Sequence, residues 1–356
     1  MSSRVMERNG SGPPPSSGAE AGALLDVRDL RVEYLTPGGS VRAVDGVSFS
    51  IAPGEVFGLA GESGCGKSTV AQAILRILRP PAIITGGEVL FKGKDILAMD
   101  GGELESVRWR EISMVFQGAL NALNPVMRVS TQIIDVLKRH KNLSTTEARQ
   151  RAAELLELVE IDVRRLDAYP HELSGGMRQR VMIAIALALN PELLIMDEPT
   201  TALDVVVQKS IMEQIRSLKE RLGFSVMLIS HDLALMSEFA DRIAVMYAGR
   251  IVELASAEGI FHNPLHPYTE GLLRSFPPLR GERRKLTGIP GAPPNMAEPP
   301  RGCRFHPRCT ACNPVETEVE PVLQEVLPGH WLAVHKGMPA LARLGLRMPA
   351  SEETNL

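Results

Sequence analysis

The apolar and polar positions near the start of the chain alternate as they do in β-strands. Two such runs, residues 24–35 (LLDVRDLRVEYL) and 41–51 (VRAVDGVSFSI), are separated by a Pro-Gly-Gly turn at residues 37–39. After a second turn at Pro53-Gly54, the apolar run Val56–Ala60 leads into glycines and then into TVAQAILRIL. This order predicts a buried strand, a loop and a helix, which is the beginning of an α/β unit.

The pattern becomes helical in the middle of the chain. Between residues 103 and 173 strand-like runs are scarce, and Ala152, Leu155, Leu156 and Val159 follow the i, i+3, i+4, i+7 spacing of a helix with one apolar face. We therefore predict a helical subdomain at about residues 118–172, inserted into the α/β core.

The α/β pattern resumes after this segment. The predicted elements are a helix at 177–189, a strand at 193–196, a helix at 206–222, a strand at 225–229 and a last strand pair that turns at Ala248-Gly249. Their alternation is typical of a parallel sheet. After Phe261 the proline content rises sharply, so residues 262–302 predict a linker and an extension rather than more sheet.

Composition narrows the classes of protein. Hydrophobic residues make up 44% and charged residues 23% of the 356 positions, which is typical of a soluble globular protein. The net charge of -3 provides no basic field, so we expect no nucleic-acid partner. The longest apolar stretch, Val181–Leu189, is far short of the ~20 residues that cross a bilayer. Residues 1–22 lack the apolar segment of a secretory signal and predict a disordered tail on a cytoplasmic protein.

The glycines after the first buried strand form the motif G-x4-G-K-[ST], in the sequence GESGCGKST. In this motif backbone N–H groups turn towards phosphate oxygens, and the following helix N-terminus favours negative charge. Lys67 is predicted to contact the outer phosphates, and the Ser68 hydroxyl to bind Mg²⁺. The alternative is a plain glycine-rich turn. The candidate nucleotide-binding residues are Gly61, Glu62, Ser63, Gly64, Cys65, Gly66, Lys67, Ser68 and Thr69.

Two carboxylates follow the apolar strand in LLIMDE. Asp197 and Glu198 come at its carboxyl end, where ligands bind in open α/β sheets. Asp197 is a candidate for holding Mg²⁺, and Glu198 for orienting or deprotonating the attacking water. The alternative is a solvated acidic turn. Gln117 and His231 likewise follow apolar strand-like runs, and for either residue taken singly a surface or structural role is favoured.

A second candidate anion site lies in LSGGMRQ. Ser174 is a good helix N-cap, and Gly175 and Gly176 leave backbone N–H groups unobstructed. One nucleotide has only one terminal phosphate, so two such loops in one chain suggest that two copies face each other. The alternative is an ordinary glycine-rich helix start.

Taken together, these motifs resemble the nucleotide-binding subunit of an ABC transporter. The resemblance covers residues 24–335 and implies a P-loop α/β cassette of residues 23–260 with an antiparallel β subdomain and the inserted helical subdomain. It implies that Tyr34 stacks on adenine, that Gln117 senses the γ-phosphate and binds Mg²⁺, and that His231 contacts the γ-phosphate. It also implies a head-to-tail dimer in which the LSGGM loop acts on the partner's nucleotide and Asp204 lies near the seam.

The branch of the family is indicated by HNPLHPYTEGLL and by the tail GCRFHPRC, which resemble the ATP-binding subunits of dipeptide and oligopeptide importers. We expect the corresponding C-terminal extension at residues 261–340 and a flexible tail at 341–356. The implied partners are a second, different cassette chain, two transmembrane permeases and, indirectly, an extracytoplasmic solute-binding protein. The implied location is the cytoplasmic face of the membrane. Nickel importers of the same branch and soluble ABC ATPases are the alternatives.

Three of the four cysteines lie in this tail. In the family, C-x5-C-x6-C followed by a Cys next to a His can hold an iron-sulfur cluster, and Cys303 and Cys309 fit the first spacing. Glu316 and Val334 then stand at the third and fourth cysteine positions. Cys303, Cys309, Cys312 and His335 remain candidate ligands for an iron-sulfur cluster or zinc, and three thiols in a reducing compartment are the alternative.

Overall fold

The structure is a computed structural model that describes residues 22–118, 122–201, 203–275, 288–311 and 320–334. The strands are β1 (Leu25–Thr36), β2 (Gly39–Ile51), β3 (Val56–Ala60), β4 (Ala82–Phe91), β5 (Lys94–Asp95), β6 (Ile112–Val115), β7 (Leu193–Asp197), β8 (Ser225–Ser230), β9 (Arg242–Tyr247), β10 (Arg250–Ser256), β11 (Val322–Leu327) and β12 (His330–Val334). The helices are α1 (Lys67–Ile74), α2 (Gly101–Val107), α3 (Val129–His140), α4 (Thr145–Leu158), α5 (Gly175–Ala186), α6 (Val205–Leu222), α7 (Leu233–Phe239), α8 (Ala257–His262) and α9 (Pro267–Arg274).

An antiparallel sheet of four strands, in the order β2-β1-β4-β5, forms one layer. In β1, Leu25, Val27, Leu30 and Val32 are buried, as the alternating pattern predicts apart from a register shift after Val27. The predicted turn at residues 37–39 joins β1 to β2. The α/β fold with an antiparallel β subdomain is therefore confirmed.

The core is a mixed sheet in the order β11-β12-β10-β9-β3-β8-β7-β6, in which β9 to β6 run parallel. Its central strands read as continuous apolar runs because both faces are covered. In β8, Val226 and Leu228 belong to one hydrophobic cluster, whereas Met227 and Ile229 belong to the other. This arrangement aligns the carboxyl ends of β3, β7 and β8 along one edge, where the site residues lie.

Helices occupy the middle of the chain where the pattern predicts them. The predicted apolar face of α4, which includes Ala152, Leu155 and Leu156, is fully buried. α4 begins with a capping box in which the Ser144 side chain accepts from the backbone N–H of Glu147 and the Glu147 side chain accepts from the backbone N–H of Ser144. Two 3-10 helices, Val163–Asp167 and Pro170–Glu172, follow before α5. The bounds of the helical subdomain stay a prediction.

Two element ends differ from the sequence pattern. The first helix was expected to continue to residue 78, but α1 ends at Ile74 and Arg76 has a left-handed φ of 51°. An arginine in that conformation cannot continue a right-handed helix. The helix after the LSGGM loop begins at Gly175 rather than at 177, because the Ser174 side chain caps its first turn.

The extension contributes strands that the sequence pattern did not predict. Residues 262–302 hold no strand where the structure describes them, as expected. Further along, β11 and β12 form a hairpin, and β12 pairs with β10 through Glu253 opposite Leu332 and Leu254 opposite Trp331. The available signal was Pro328-Gly329 between two short apolar-rich runs. The extension thus adds two strands to the edge of the core sheet.

Candidate functional site

The phosphate loop connects β3 to α1, where the sequence places it. Gly61 and Gly66 have φ values of 152° and 108°. A Cβ on Gly61 would lie 2.2 Å from the Met246 carbonyl oxygen, and one on Gly66 would lie 2.3 Å from that of Ala43. Both positions therefore require glycine, for conformation and for space.

Lys67 is enclosed by this loop. Its side chain is buried, and Nζ donates to the carbonyl oxygens of Gly61 at 2.7 Å and Glu62 at 2.9 Å. Cys65 is also buried, and burial raises the pKa of its thiol. The loop therefore closes around one fixed positive charge, while its cysteine is disfavoured as a thiolate.

The phosphate loop and β7 are joined by one hydrogen bond. Ser68 Oγ donates to Asp197 Oδ1 at 3.0 Å. The pKa of Asp197 is raised, mainly by burial and also by the charge of Glu198. The Ser68 hydrogen bond and the charge of Lys67 lower the pKa and offset part of this effect. A hydroxyl and a carboxylate oxygen this close fit the oxygen ligands that Mg²⁺ prefers.

Three polar side chains converge on the carboxylate of Glu198. Its Oε2 accepts from Gln117 Nε2 at 2.9 Å and from Thr201 Oγ1 at 3.0 Å, and His231 Nδ1 lies 3.4 Å from Oε1. The backbone of Glu198 is left-handed, with φ of 45°, and its N–H donates to the Ile229 carbonyl oxygen at 2.9 Å. The structure thus brings together Glu198, the candidate for orienting the attacking water, with Gln117 and His231, which the resemblance implies act at the γ-phosphate. No sequence pattern had indicated Thr201.

The second candidate anion loop stands at the start of α5. Ser174 is the N-cap and its Oγ accepts from Met177 N at 3.3 Å. Asp204 caps α6 in the same manner, through Val207 N at 3.0 Å. A Cβ on Gly176 would lie 2.9 Å from Val207 Cγ1, so the two helix starts are in close contact. Among the described residues, no hydrogen bond or ion pair joins the Ser174 loop to Gly61–Thr69.

Tyr34 lies beside the end of the phosphate loop. Its hydroxyl is 3.3 Å from Thr69 Oγ1, and its ring is half-buried. β1 and α1 therefore hold it at the site, and its role in stacking on adenine stays a prediction.

The C-terminal extension also reaches the site, which no sequence motif had indicated. A cavity of about 370 Å³ is bounded on one side by the phosphate loop and the strand ends and on the other by the extension. Its lining residues are Glu62, Ser63, Glu198, His231, Leu272, Ser275 and Ile289.

The cysteine cluster is only partly described. Cys303 is buried and Cys309 is half-buried, and burial raises the pKa of the Cys303 thiol. Cys312 and His335 lie outside the described residues. Within the part of the chain that the structure covers, no group of three or more His, Cys, Asp or Glu side chains is arranged to hold a metal ion. The two described cysteines alone therefore form no metal or cluster site, and the ligand set of Cys303, Cys309, Cys312 and His335 stays a prediction.

The fold and the site define a phosphate-loop cassette in which a buried lysine, a hydroxyl–carboxylate pair and a glutamate converge at one sheet edge. The sequence profile described as "ABC transporter" matches residues 44–201, and the one described as "Oligopeptide/dipeptide transporter, C-terminal region" matches residues 252–315.

Curated relatives extend over nearly the whole chain. The "Oligopeptide transport ATP-binding protein OppD" of Bacillus subtilis (strain 168) is 46% identical over 87% of this chain and 87% of its own length. The protein of that name from Escherichia coli (strain K12) is 44% identical over 92% and 97%. A solved dimer of the ATP-binding cassette MJ0796, in a post-hydrolysis state bound to ADP and Pi, has a TM-score of 0.59 and 31% identity over 65% of this chain and 98% of its own.

The chain belongs to the ABC transporter family of ATP-binding proteins, in the branch that carries the oligopeptide/dipeptide transporter C-terminal region. It is an ATP hydrolase coupled to transport, as the resemblance implied, and the fold uses ATP with Mg²⁺. Across the described segments, no helix is both long and apolar enough to cross a membrane.

Proposed function

We propose that this chain energises an importer of dipeptides or oligopeptides from the cytoplasmic face of the cell membrane. The names of its relatives and the matching C-terminal region support this cargo class. The single observation that carries the catalytic assignment is the convergence of Gln117, Thr201 and His231 on the Glu198 carboxylate.

The residue roles follow from the contacts at the site. Lys67 balances the charge of the outer phosphates, while Ser68 and Asp197 hold Mg²⁺ through oxygen atoms. Mg-ATP, when bound, would supply a γ-phosphoryl group whose transfer to water, with ADP as the leaving group, releases energy. Gln117, which the resemblance makes a further Mg²⁺ ligand, keeps one end of the Glu198 carboxylate in place.

The two oxygens of Glu198 differ in their surroundings. Among the residues that the structure describes, Oε2 accepts two hydrogen bonds, whereas Oε1 faces only the longer contact to the exposed His231. Oε1 is therefore the atom we assign to orient the attacking water and to accept its proton. Because His231 lies beside that atom and lines the cavity, its proposed contact is with the γ-phosphate.

The second candidate anion loop, at the start of α5, supports pairing with another cassette. Ser174, Gly175 and Gly176 offer backbone N–H groups to the nucleotide of a facing cassette, with Asp204 near the seam. The dimeric solved cassette with ADP and Pi supports such a pair. We prefer a different cassette chain as the partner, together with two transmembrane permeases and, indirectly, an extracytoplasmic solute-binding protein. We propose no nucleic-acid partner.

Steady-state ATP hydrolysis by the chain purified together with its facing cassette tests the catalytic roles. Glu198→Gln is expected to lower kcat by about 10²- to 10⁴-fold while ATP still binds, because only the proton acceptor is lost. Glu213→Gln on the exposed face of α6 makes the same charge change and is the control. Unchanged kcat in Glu198→Gln, or loss of ATP binding with it, would contradict the assignment.

Uptake by intact cells tests the cargo. Cells that lack the gene are complemented with the wild-type chain or with Lys67→Ala and are given a labelled tripeptide or radioactive Ni²⁺. We expect uptake of the tripeptide to return only with the wild-type chain. Restored Ni²⁺ uptake without peptide uptake would replace peptides by nickel as the cargo.

A further inference from the structure

The C-terminal extension forms a two-pronged contact with Glu62, the second residue of the phosphate loop. Arg308, in the 3-10 helix His306–Arg308, directs Nη1 to Glu62 Oε2 at 2.6 Å and Nη2 to Glu62 Oε1 at 3.0 Å. The Arg308 side chain is 4% exposed and that of Glu62 is 27% exposed, so solvent screens this pair only partly. A bidentate pair of this kind fixes direction as well as distance.

Tyr268 holds the backbone of the same residue. Its side chain is fully buried in α9, and its hydroxyl oxygen accepts the N–H of Glu62 at 2.9 Å. Burial raises the pKa of Tyr268, so the group stays a neutral hydroxyl. Two residues of the extension therefore fix both the side chain and the main chain of Glu62.

The Arg308 side chain is itself held in place by its neighbours. Arg308 Nε donates to the Pro290 carbonyl oxygen at 2.9 Å, and its guanidinium lies 5.8 Å from the centroid of the Tyr247 ring. Tyr247 packs against Tyr268 with ring centroids 4.6 Å apart, and against Phe305 at 5.2 Å. Because β9, α9 and the 3-10 helix meet in this cluster, a change in the extension reaches the phosphate loop through rigid side chains.

The Arg308–Glu62 contact lies in the part of the phosphate loop that also binds the Lys67 side chain. The carbonyl oxygens of Gly61 and Glu62 both accept from Lys67 Nζ, so Arg308, Glu62 and Lys67 form one chain of contacts. A loop that is held before its ligand arrives loses less conformational freedom on binding than a loop that must be ordered.

We propose that Arg308 and Tyr268 are positioning residues that hold the phosphate loop in its nucleotide-receiving shape, so that the C-terminal extension sets the affinity of the cassette for ATP. The inference rests on the proposed nucleotide site at Gly61–Thr69. It gives the extension a role in the ATPase cycle that is independent of metal binding by its cysteines.

The test is a titration of the purified full-length chain with Mg²⁺ and a fluorescent, non-hydrolysable ATP analogue, together with kcat at saturating ATP. Arg308→Met and Glu62→Gln are each expected to raise the Kd by about threefold to tenfold, because the ordering of the loop is then part of binding. The Kd of the double variant for the analogue is expected to be no higher than that of the single variant with the higher Kd, because both changes remove one shared contact. For Arg308→Met, kcat is expected to stay within about twofold, since Glu198 and its neighbours are untouched.

Two further variants separate positioning from folding. Tyr268→Phe removes only the hydroxyl and is expected to raise the Kd in the same direction, in a chain that remains folded at the assay temperature. Arg274→Met removes an exposed ion pair with Glu270 within α9 and is the matched control, with an expected Kd equal to that of the wild type. Wild-type Kd values in Arg308→Met, Glu62→Gln and Tyr268→Phe, or additive effects in the double variant, would overturn the inference. Failure of the wild-type chain to bind the analogue, or equal binding by Lys67→Ala, would instead overturn the nucleotide site itself.

Discussion

Glu253 offers the sharpest test of how the extension is attached to the core. This carboxylate of β10 is fully buried, and its three partners all belong to the extension. Oε1 accepts from Leu265 N at 2.7 Å and contacts His330 Nε2 at 2.7 Å, while Oε2 accepts from His266 N at 3.0 Å. The perturbation is Glu253→Gln, which keeps the size of the side chain and replaces one oxygen by an NH₂ group.

The expected magnitude follows from where the new NH₂ group lies. At the Oε1 position it faces the N–H of Leu265 and Nε2 of His330, and at the Oε2 position it faces the N–H of His266. In either orientation, a buried backbone N–H that the carboxylate accepted from loses its acceptor and faces the NH₂ group instead, at a cost of about 1–3 kcal/mol in the free energy of unfolding.

Trp331 gives this prediction a local probe. It lies on β12 opposite Leu254, next to the Glu253 pair, and Trp109 is the only other tryptophan. Urea unfolding followed by fluorescence in a Trp109→Phe background therefore reports the attachment of the hairpin. Glu258→Gln, at an exposed glutamate of α8, makes the same charge change and is expected to leave the transition in place. A Glu253→Gln transition within about 0.5 kcal/mol of the parent would refute the reasoning.

Three other predictions test separate parts of the structure. Asp45 is buried against three arginines; burial raises its pKa, but contacts including the Arg250 hydrogen bond outweigh burial and hold the pKa below its usual value. The stability that the Asp45 carboxylate contributes is thus present above about pH 4 and is lost as pH falls through the folded pKa. Asp45→Asn is therefore expected to lower the free energy of unfolding by about 3–5 kcal/mol at pH 7 and to flatten the acid side of a urea-unfolding pH profile. Gly61→Ala is expected to abolish binding of the ATP analogue, because the added Cβ overlaps a backbone carbonyl oxygen, and binding at wild-type affinity would contradict the loop geometry. Gly176→Ala is expected to reduce ATP hydrolysis and Val207→Ala to restore part of it by removing the 2.9 Å contact; a double variant no more active than Gly176→Ala would refute that contact as the cause.

Local signals account for what the sequence could predict. The LSGGM motif indicated the helix capped by Ser174, and the run LLIMDE indicated the strand that presents Glu198, because each depends on neighbouring residues alone. The contact between Arg308 and Glu62 spans 246 positions of the chain. Its formation depends on how β9, α9 and the extension pack, and no periodicity or short motif records that packing. Thr201 was missed for a related reason: its hydroxyl matters only through the turn that returns it to Glu198.

The central claim is that this cassette drives a membrane importer, and its most direct test is affinity purification of the tagged chain from detergent-solubilised membranes with ATP present. Wild type and Glu198→Gln are compared, because slowed hydrolysis prolongs the ATP-bound assembly, and partners are identified by mass spectrometry. Recovery of two multi-span membrane proteins and a second cassette chain, enriched with Glu198→Gln, is the expected result. Recovery of ribosomal or DNA-repair proteins, with no multi-span protein in either sample, would contradict it.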